Sequence, residues 1–335
     1  MSSKVKSSHF IRGSLTQLYK MAVKGKDTAY NLDLLPTHKI EGATVISVGN
    51  LRLGGSGKTP LAMLLCEILR DKGLKPAYVS RGYRGAMENK GGLVSIGDGP
   101  IVSAKDAGDE AFMAAQKLAG VLVRVGANRV KQARFAVTQG ANAIVLDDGF
   151  QHRRIFRDLD LLLVSPEDLN PKTRLLPFGP LREPPESAAR ANLIIGLSRH
   201  WKDKGNFPDV IVDYRPCKLI EKSGSSVSLK HHLAKPVFLL AAIAQPMRFE
   251  QTAKDAGFKI TGRSFFSDHH PFTKSDISKV CNLARKSRAQ CILTTEKDLP
   301  KLAHLNMDMP LEALAITLVI TRGKDLLYSA INNIT

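Results

Sequence analysis

Six residues, Gly54-Gly55-Ser56-Gly57-Lys58-Thr59, have the types and spacing to hold a polyphosphate. Glycines carry no side chain, so backbone N–H groups can approach phosphate oxygens, and a helix starting at the end of the run adds its positive N-terminal end. Lys58 is placed to reach β and γ phosphates, and Thr59 to offer a hydroxyl to Mg²⁺. Pro60 suits a first helical turn, where its missing N–H is harmless. The strict G-x-x-x-x-G-K-[ST] pattern asks for glycine where this chain has Arg52. The reading therefore rests on the order strand, glycine run, Lys-Thr, helix, against the alternative of a glycine-rich turn that binds nothing.

Asp147 and Asp148 close the apolar run Ala143 to Leu146. Adjacent carboxylates at the carboxyl end of a strand lie on the edge of a parallel sheet where ligands bind, and a strand-end Asp near a phosphate loop is the usual second support for Mg²⁺. A turn or helix cap formed with Gly149 is the plainer reading. Asp109 and Glu110 precede a helical pattern, with Asp109 expected as its N-cap. Arg81, Tyr83, Arg129, His152 with Arg153 and Arg154, and Arg182 supply cationic or hydrogen-bonding groups beside expected strand ends. In Asp268-His269-His270 the two histidines cannot both face one site if the backbone is extended. Thr294-Thr295-Glu296-Lys297-Asp298 is not the guanine-reading [NT]-K-x-D element, because its lysine comes one position late.

The elements that must position these groups follow an alternating pattern. Short apolar runs at Val45–Val48, Pro76–Ser80, Val121–Val125, Ala143–Leu146, Leu159–Val164 and Leu193–Leu197 read as strands. Leu61, Leu64, Leu65, Ile68 and Leu69 mark one face of the helix after the glycine loop. This predicts an α/β fold, a P-loop NTPase-type mainly parallel sheet flanked by helices, with a second, smaller α/β domain. Expected boundaries are 1–40 for a basic N-terminal segment, 41–205 for the P-loop core and 206–335 for the smaller domain, where Pro236–Ala242 and Cys291–Thr295 read as strands and Met247–Ala256 as a helix.

In 335 residues, 49 Lys and Arg face 31 Asp and Glu, a formal net charge of +18 that favours anionic partners. Phe10, Ile11, Leu15, Leu18, Tyr19 and Ala22 recur at helical spacing within the basic first 40 residues, suggesting an amphipathic helix with a cationic opposite face, suited either to an acidic membrane or to packing on the domain. No segment reaches the roughly 18 apolar residues that cross a bilayer, so membrane contact is expected to be peripheral. The four cysteines show no metal-ligand spacing and read as reduced, buried thiols, and residues 1–40 contain no secretory-type apolar run, from which a cytoplasmic location is expected. Aromatic content of 6% gives little support to base-stacking platforms, so nucleic acid is not an expected partner, although a nucleic-acid-stimulated ATPase or a GTPase or metallochaperone-type NTPase are the rival classes.

Taken together, Val48-Gly49-Asn50 with Gly54 to Pro60, Ser80-Arg81-Gly82-Tyr83, Gly108-Asp109-Glu110, Asp147 to His152, Leu176-Pro177 through Gly179 to Pro184, Phe266 to His269, and Thr294 to Asp298 resemble the tetraacyldisaccharide 4'-kinases of Gram-negative bacteria. The resemblance runs in order across most of the chain. It implies transfer of the γ-phosphoryl group of ATP, with Mg²⁺, to the 4'-hydroxyl of an acylated glucosamine disaccharide lipid. The location it implies is the cytoplasmic face of the bacterial inner membrane, held peripherally and without an obligate protein partner. It also implies residue roles: Lys58 and Thr59 on phosphates and metal; Asp147, Asp148 and Glu110 around the metal; Asp109 with His269 as a base dyad. Arg81, Tyr83, Arg129, Gln151, His152, Arg182 and Glu183 become candidates for the acceptor side.

Overall fold

A computed structural model of the chain describes residues 2–54, 57–201, 207–229 and 235–335, with side chains from residue 15 onward. Two compact units result, one of residues 1–213 with 320–335 and one of residues 214–319.

The first unit begins with helix α1 (Ser2–Asn31), followed by β1 (Thr44–Gly49), α2 (Lys58–Asp71), β2 (Pro76–Ser80), β3 (Gly92–Ser95), α3 (Ala104–Ala107) and α4 (Asp109–Lys117). It continues through β4 (Leu122–Val125), α5 (Arg129–Thr138), β5 (Ala143–Asp147), β6 (Leu159–Val164), β7 (Leu193–Leu197) and the start of β8 (Val210–Glu221). The strands are ordered β3-β4-β2-β5-β1-β6-β7-β8, all parallel except β3. Runs such as Ala143-Ile144-Val145-Leu146 are buried on both faces because helices cover both, which is why they read as continuous rather than alternating apolar strands. Leu61, Leu65 and Leu69, spaced i, i+4, i+8 on α2, are fully buried. Each contributes roughly 1.5–3 kcal/mol by leaving water. On the α5 side, Val130, Ala133 and Ala136 pack against Val45, Val79, Ile144 and Leu146.

Two details here differ from the expected pattern. Asp109 is the first residue of α4 rather than its cap, since Gly108 at φ 83° occupies the cap position. Along α1, Tyr19 and Tyr30 face the body of the unit: the Tyr19 hydroxyl donates to the Arg182 carbonyl at 2.8 Å, and Arg153 stacks over the Tyr30 ring. Asp27 on the same face pairs with Arg153 and Arg190. Leu15, Leu18 and Met21 are exposed instead. Polar anchoring of one face has turned apolar residues outward, the reverse of packing by an apolar stripe. Among the described residues no helix is long and apolar enough to cross a membrane.

The second unit comprises the remainder of β8, β9 (Ser226–Val227), β10 (Pro236–Ala241), α6 (Pro246–Asp255), β11 (Lys259–Phe265), α7 (Lys274–Lys286), β12 (Cys291–Thr295), α8 (Leu299–Ala303) and most of β13 (Leu311–Arg322). Helix α9 (Lys324–Asn332) belongs to the first unit. Strands β11, β10, β12 and β13 are parallel neighbours. Alternate residues of β10 serve opposite cores, Phe238 and Leu240 against α7, Val237 and Leu239 against α6, as the period-two geometry of a strand requires.

Candidate active site

Strands β1 and β5 are adjacent, and their register pairs Val48 with Asp147. The loop leaving β1 and the carboxylates leaving β5 thus emerge side by side at the carboxyl edge of the sheet, where open α/β sheets bind ligands. The loop then turns through Gly54 and Gly57, both at φ 100°, a conformation that side-chain-bearing residues rarely adopt. Gly55 and Ser56 lie outside the described residues. Gly57 caps α2, whose first turn carries no acidic residue and begins with Lys58 and Thr59. Its unpaired N–H groups and dipole are available to an anion.

Arg52 has a structural explanation. Its side chain turns away to pair with buried Asp168 at 2.5 Å, and its backbone bridges to Leu181. Arg52 is not among the residues at positive φ, so its position makes no demand for glycine. Leu53 N–H donates to the Pro180 carbonyl and Arg182 N–H to the Leu51 carbonyl, tying the segment before the glycines to the 180–182 stretch.

Around the loop the side chains interlock. Lys58 Nζ donates to Asn50 Oδ1 at 3.0 Å and pairs with Asp148 Oδ1 at 3.3 Å. Thr59 Oγ1 donates to Asp147 Oδ2 at 2.7 Å, and the buried Tyr78 hydroxyl donates to the same oxygen. Arg182 pairs with Asp148 Oδ2 at 2.8 Å, and the buried Arg129 donates to the Asp148 carbonyl at 3.4 Å. Asp148 itself takes φ 57°, which bends the chain so that two consecutive carboxylates point to different partners.

Their electrostatics diverge accordingly. Burial pushes the Asp147 carboxyl up to about 6, the nearby charge of Glu110 adds to the rise, and the hydrogen bonds from Tyr78 and Thr59 partly offset it. At Asp148 burial acts in the same upward direction but is outweighed by Lys58, then Arg182 and Arg129, which hold the carboxyl down to about 2. Burial, followed by the charges of Arg129 and Arg154, lowers His152 to about 4, so its imidazole is neutral at pH 7.

Among the described residues no three acidic, histidine or cysteine side chains form a ready-made metal cage. What is present fits Mg²⁺, a hard cation that takes one or two protein oxygens and shares the rest with phosphates and water. Thr59 and Asp147 supply a hydroxyl and a carboxylate in contact, and Asp147 Oδ1 is buried with no hydrogen-bond partner.

The other sequence candidates divide. Arg81 is exposed and ion-paired with Glu88 at 2.5 Å, yet close enough for its charge to act on Arg129. Tyr83 is 54% exposed, with the Arg84 guanidinium over its ring. Gln151 donates to the Asn50 carbonyl at 2.8 Å. Glu183 is buried and pairs with Arg190 at 2.6 Å. Gln151, Arg182 and Glu183 nonetheless line one cavity of about 270 Å³, together with Tyr19, Val23 and Lys26 of α1.

Within the second unit, His269 lies in a turn at φ 61°. Its Nε2 meets Lys297 Nζ at 3.2 Å, and Lys297 also pairs with Asp268 at 3.2 Å. Lysine carries only donors, so Nε2 accepts here when the imidazole holds its proton on Nδ1, and Asp268 Oδ2 lies 3.7 Å from the same nitrogen. His270 diverges, stacking on Phe266 and bonding Asp276 at 3.1 Å. The two histidines thus serve different surroundings.

Sequence reasoning did not assign roles to Asn50, Tyr78 or Lys297. Tyr78 carried a signal, as the one large polar side chain in the otherwise apolar segment Pro76–Val79. Asn50 and Lys297 sit inside segments already singled out and give no further sign of their partners.

A mainly parallel sheet with a glycine loop opening α2 and a strand-end carboxylate bonded to its threonine defines a P-loop phosphotransferase of the α/β class. The profile of the family described as LpxK, tetraacyldisaccharide-1-P 4'-kinase, matches residues 10–334, and the chain belongs to that family. It is 35% identical over 310 residues to the tetraacyldisaccharide 4'-kinase of Desulfotalea psychrophila, covering 89% of each chain. To that of Syntrophus aciditrophicus it is 34% identical over 320 residues, covering 89% of this chain and 84% of the relative. It resembles the crystal structure of LpxK from Aquifex aeolicus in complex with ATP, with TM-score 0.79 and 30% identity, over 97% of this chain and 99% of that one.

Proposed function

We infer that this chain is the ATP-dependent kinase of its family, transferring the γ-phosphoryl group of ATP to the 4'-hydroxyl of tetraacyldisaccharide 1-phosphate in lipid A biosynthesis. The observation that carries the reading is the interlocked set in which Thr59 contacts Asp147 while Lys58 and Arg182 flank Asp148. These groups sit where phosphoryl transfer needs fixed charge, because its transition state is stabilised mainly by positioning and electrostatics.

In this scheme Lys58 and the N-terminal end of α2, with Gly54 to Gly57, hold the ATP phosphates. Mg²⁺ would be held by Thr59 and Asp147, with Asp148 and Glu110 nearby. When bound it neutralises charge on the β and γ phosphates. Before ATP arrives, Lys58 is occupied by Asn50 and Asp148, so it is aimed rather than searching. Asp109 and His269 are the proposed base dyad. With its proton on Nδ1, His269 can donate from Nδ1 to a carboxylate, and Nε2 can accept the hydroxyl proton once Lys297 moves off it. Arg81, Tyr83, Arg129, Gln151, His152, Arg182 and Glu183 are proposed to meet the acceptor sugar and its phosphate. The domain roles proposed are 1–40 for membrane contact, 41–205 for the kinase core and 206–335, of which 214–319 form the second compact unit, for supply of His269.

The acceptor is a membrane lipid, and we place the enzyme peripherally at the cytoplasmic face of the inner membrane. Exposed Leu15, Leu18 and Met21 on α1 support this, because α1 also contributes to the cavity that Gln151, Arg182 and Glu183 line. The decisive assay supplies ATP, Mg²⁺ and tetraacyldisaccharide 1-phosphate in detergent. Formation of the 4'-phosphorylated lipid by wild type, and not by Lys58→Ala, is expected; absence of product from wild type overturns the reading.

A further inference from the structure

A second cavity, of about 370 Å³, lies against α5 and takes no part in the chemistry described above. It is lined by His38, Lys131, Arg134 and Arg154, with Asn128 and Thr138 as neutral polar neighbours and no acidic side chain. Neighbouring arginines are neutralised within the protein: Arg153 pairs with Asp27 at 3.2 Å and Arg157 with Asp160 at 2.8 Å. Among the described residues no carboxylate pairs with Lys131, Arg134 or Arg154. Three permanent cations around one small space repel each other, and an anion seated there relieves the repulsion.

The frame of this space is fixed by backbone bonds. His38 N–H donates to the Arg154 carbonyl at 2.8 Å, Phe156 N–H donates to the His38 carbonyl at 2.9 Å, and Asn128 caps α5 by accepting from Lys131 N–H. Exposed apolar side chains flank it in sequence on both sides. Leu32, Leu34 and Leu35 precede His38, Phe156 follows Arg154, and Phe135 lines the cavity itself; Leu34 is 72% exposed and Phe156 44%. A soluble anion would satisfy the cations but leave these apolar groups in water. A phospholipid satisfies both, its phosphate meeting the basic cavity while the leucines and phenylalanines enter the interfacial layer.

We propose that the cavity formed by His38, Lys131, Arg134 and Arg154 binds the headgroup phosphate of an anionic phospholipid and so forms a lipid contact additional to α1. The proposal rests on the reading that the enzyme works at a membrane, and its test separates the two. Co-sedimentation is measured with phosphatidylglycerol–phosphatidylcholine vesicles and with phosphatidylcholine alone. The proteins compared are wild type, a cavity variant (Lys131→Gln, Arg134→Gln, Arg154→Gln), an α1 variant (Leu18→Glu, Met21→Glu) and a control on α7 (Lys274→Gln, Lys279→Gln, Lys286→Gln).

The cavity substitutions fall on exposed side chains, and retention of the wild-type melting profile confirms the fold. Expected is a roughly tenfold or greater loss of binding to the anionic vesicles in the cavity variant. The α7 control should be near wild type. Equal loss in the α7 control would show diffuse charge attraction and overturn the site. So would loss confined to the α1 variant, which would leave membrane attachment standing. Wild type that fails to bind anionic vesicles defeats the membrane reading itself. A phosphorus NMR titration with inorganic phosphate covers the remaining source: phosphate binding that the cavity variant abolishes, with vesicle binding intact, would make this a soluble-anion site and overturn the lipid assignment.

Discussion

The two units hold their chemical residues in contrasting ways. In the first, Lys58, Thr59, Asp147, Asp148 and Arg129 lie at strand ends or a helix start, with Arg182 reaching in from a connecting segment, and the first three and Arg129 are buried. In the second, His269 and Lys297 lie in connecting turns, partly exposed, with His269 held at positive φ by the chain around it. Groups that stabilise charge on phosphates gain from being fixed and desolvated, because electrostatic preorganisation acts most strongly where water is excluded. The proton acceptor proposed at His269 needs reach and access to solvent.

That contrast is broken most directly at Lys58. Lys58→Ala removes the cation that Asp148 and Asn50 aim, and turnover should fall by about 10³-fold or more. A fall of less than tenfold at saturating ATP would mean that the buried network is structural. His269→Ala should cost about 10² to 10⁴ in kcat, the usual range for a general base, with KM for ATP little changed. Lys297→Met sharpens the same point, since it alters the partner of Nε2 without removing the imidazole. Its expected cost is a smaller fall in kcat of roughly tenfold, and a matching rise in KM for ATP would instead make Lys297 a nucleotide ligand.

The next effect is one of stability. Arg52→Gly restores the glycine of the strict loop pattern but strips buried Asp168 of its ion pair. Asp168 keeps its bonds from Ser165. The cost should be about 1–3 kcal/mol in chemical denaturation, the range for leaving a buried polar group less satisfied, with turnover near wild type. Faster turnover in the glycine variant would show that Arg52 distorts the loop.

Much of the first unit was legible because its strands are apolar runs buried on both faces and its loop is spelled out in glycines. The carboxylates at 147 and 148 could be placed because they end such a run. Strand β11, Lys259-Ile260-Thr261-Gly262-Arg263-Ser264-Phe265, could not, since it lies at one end of its strand order and is only half-buried, with no continuous apolar signal. The contacts of α1 were equally hidden. Asp27 reaches Arg153 and Arg190 across 126 and 163 residues, and local spacing does not record such partners. Asp147 and Asp148 read alike in sequence, and burial pushes both carboxyls up, but Glu110 adds to the rise at Asp147 while Lys58 and Arg182 outweigh it at Asp148, groups that only the fold brings near.

The smallest effect separates fold from chemistry within the second unit. Asp276 accepts from His270, from Thr273 N–H at 2.9 Å and from the Thr273 hydroxyl at 2.8 Å, forming the capping box that starts α7. The hydrogen bond from His270, then those from Thr273, hold its carboxyl down to about 2. A carboxylate whose folded pKa is depressed adds stability above its unfolded value near 3.9, and that stability is lost as pH falls toward the folded value. Between about pH 4 and 2, therefore, the wild-type melting temperature should fall partly through this group, and Asp276→Asn should flatten that part of the curve. Asparagine can still accept from Thr273, so the helix remains capped. Turnover at neutral pH should be unchanged, because His270 and Asp276 belong to the cap while His269, one residue away, turns to Lys297. A variant with an unaltered acid profile would show that the capping carboxylate carries no linkage. One that loses activity without losing stability would bring His270 into the chemistry and erase the division between the adjacent histidines.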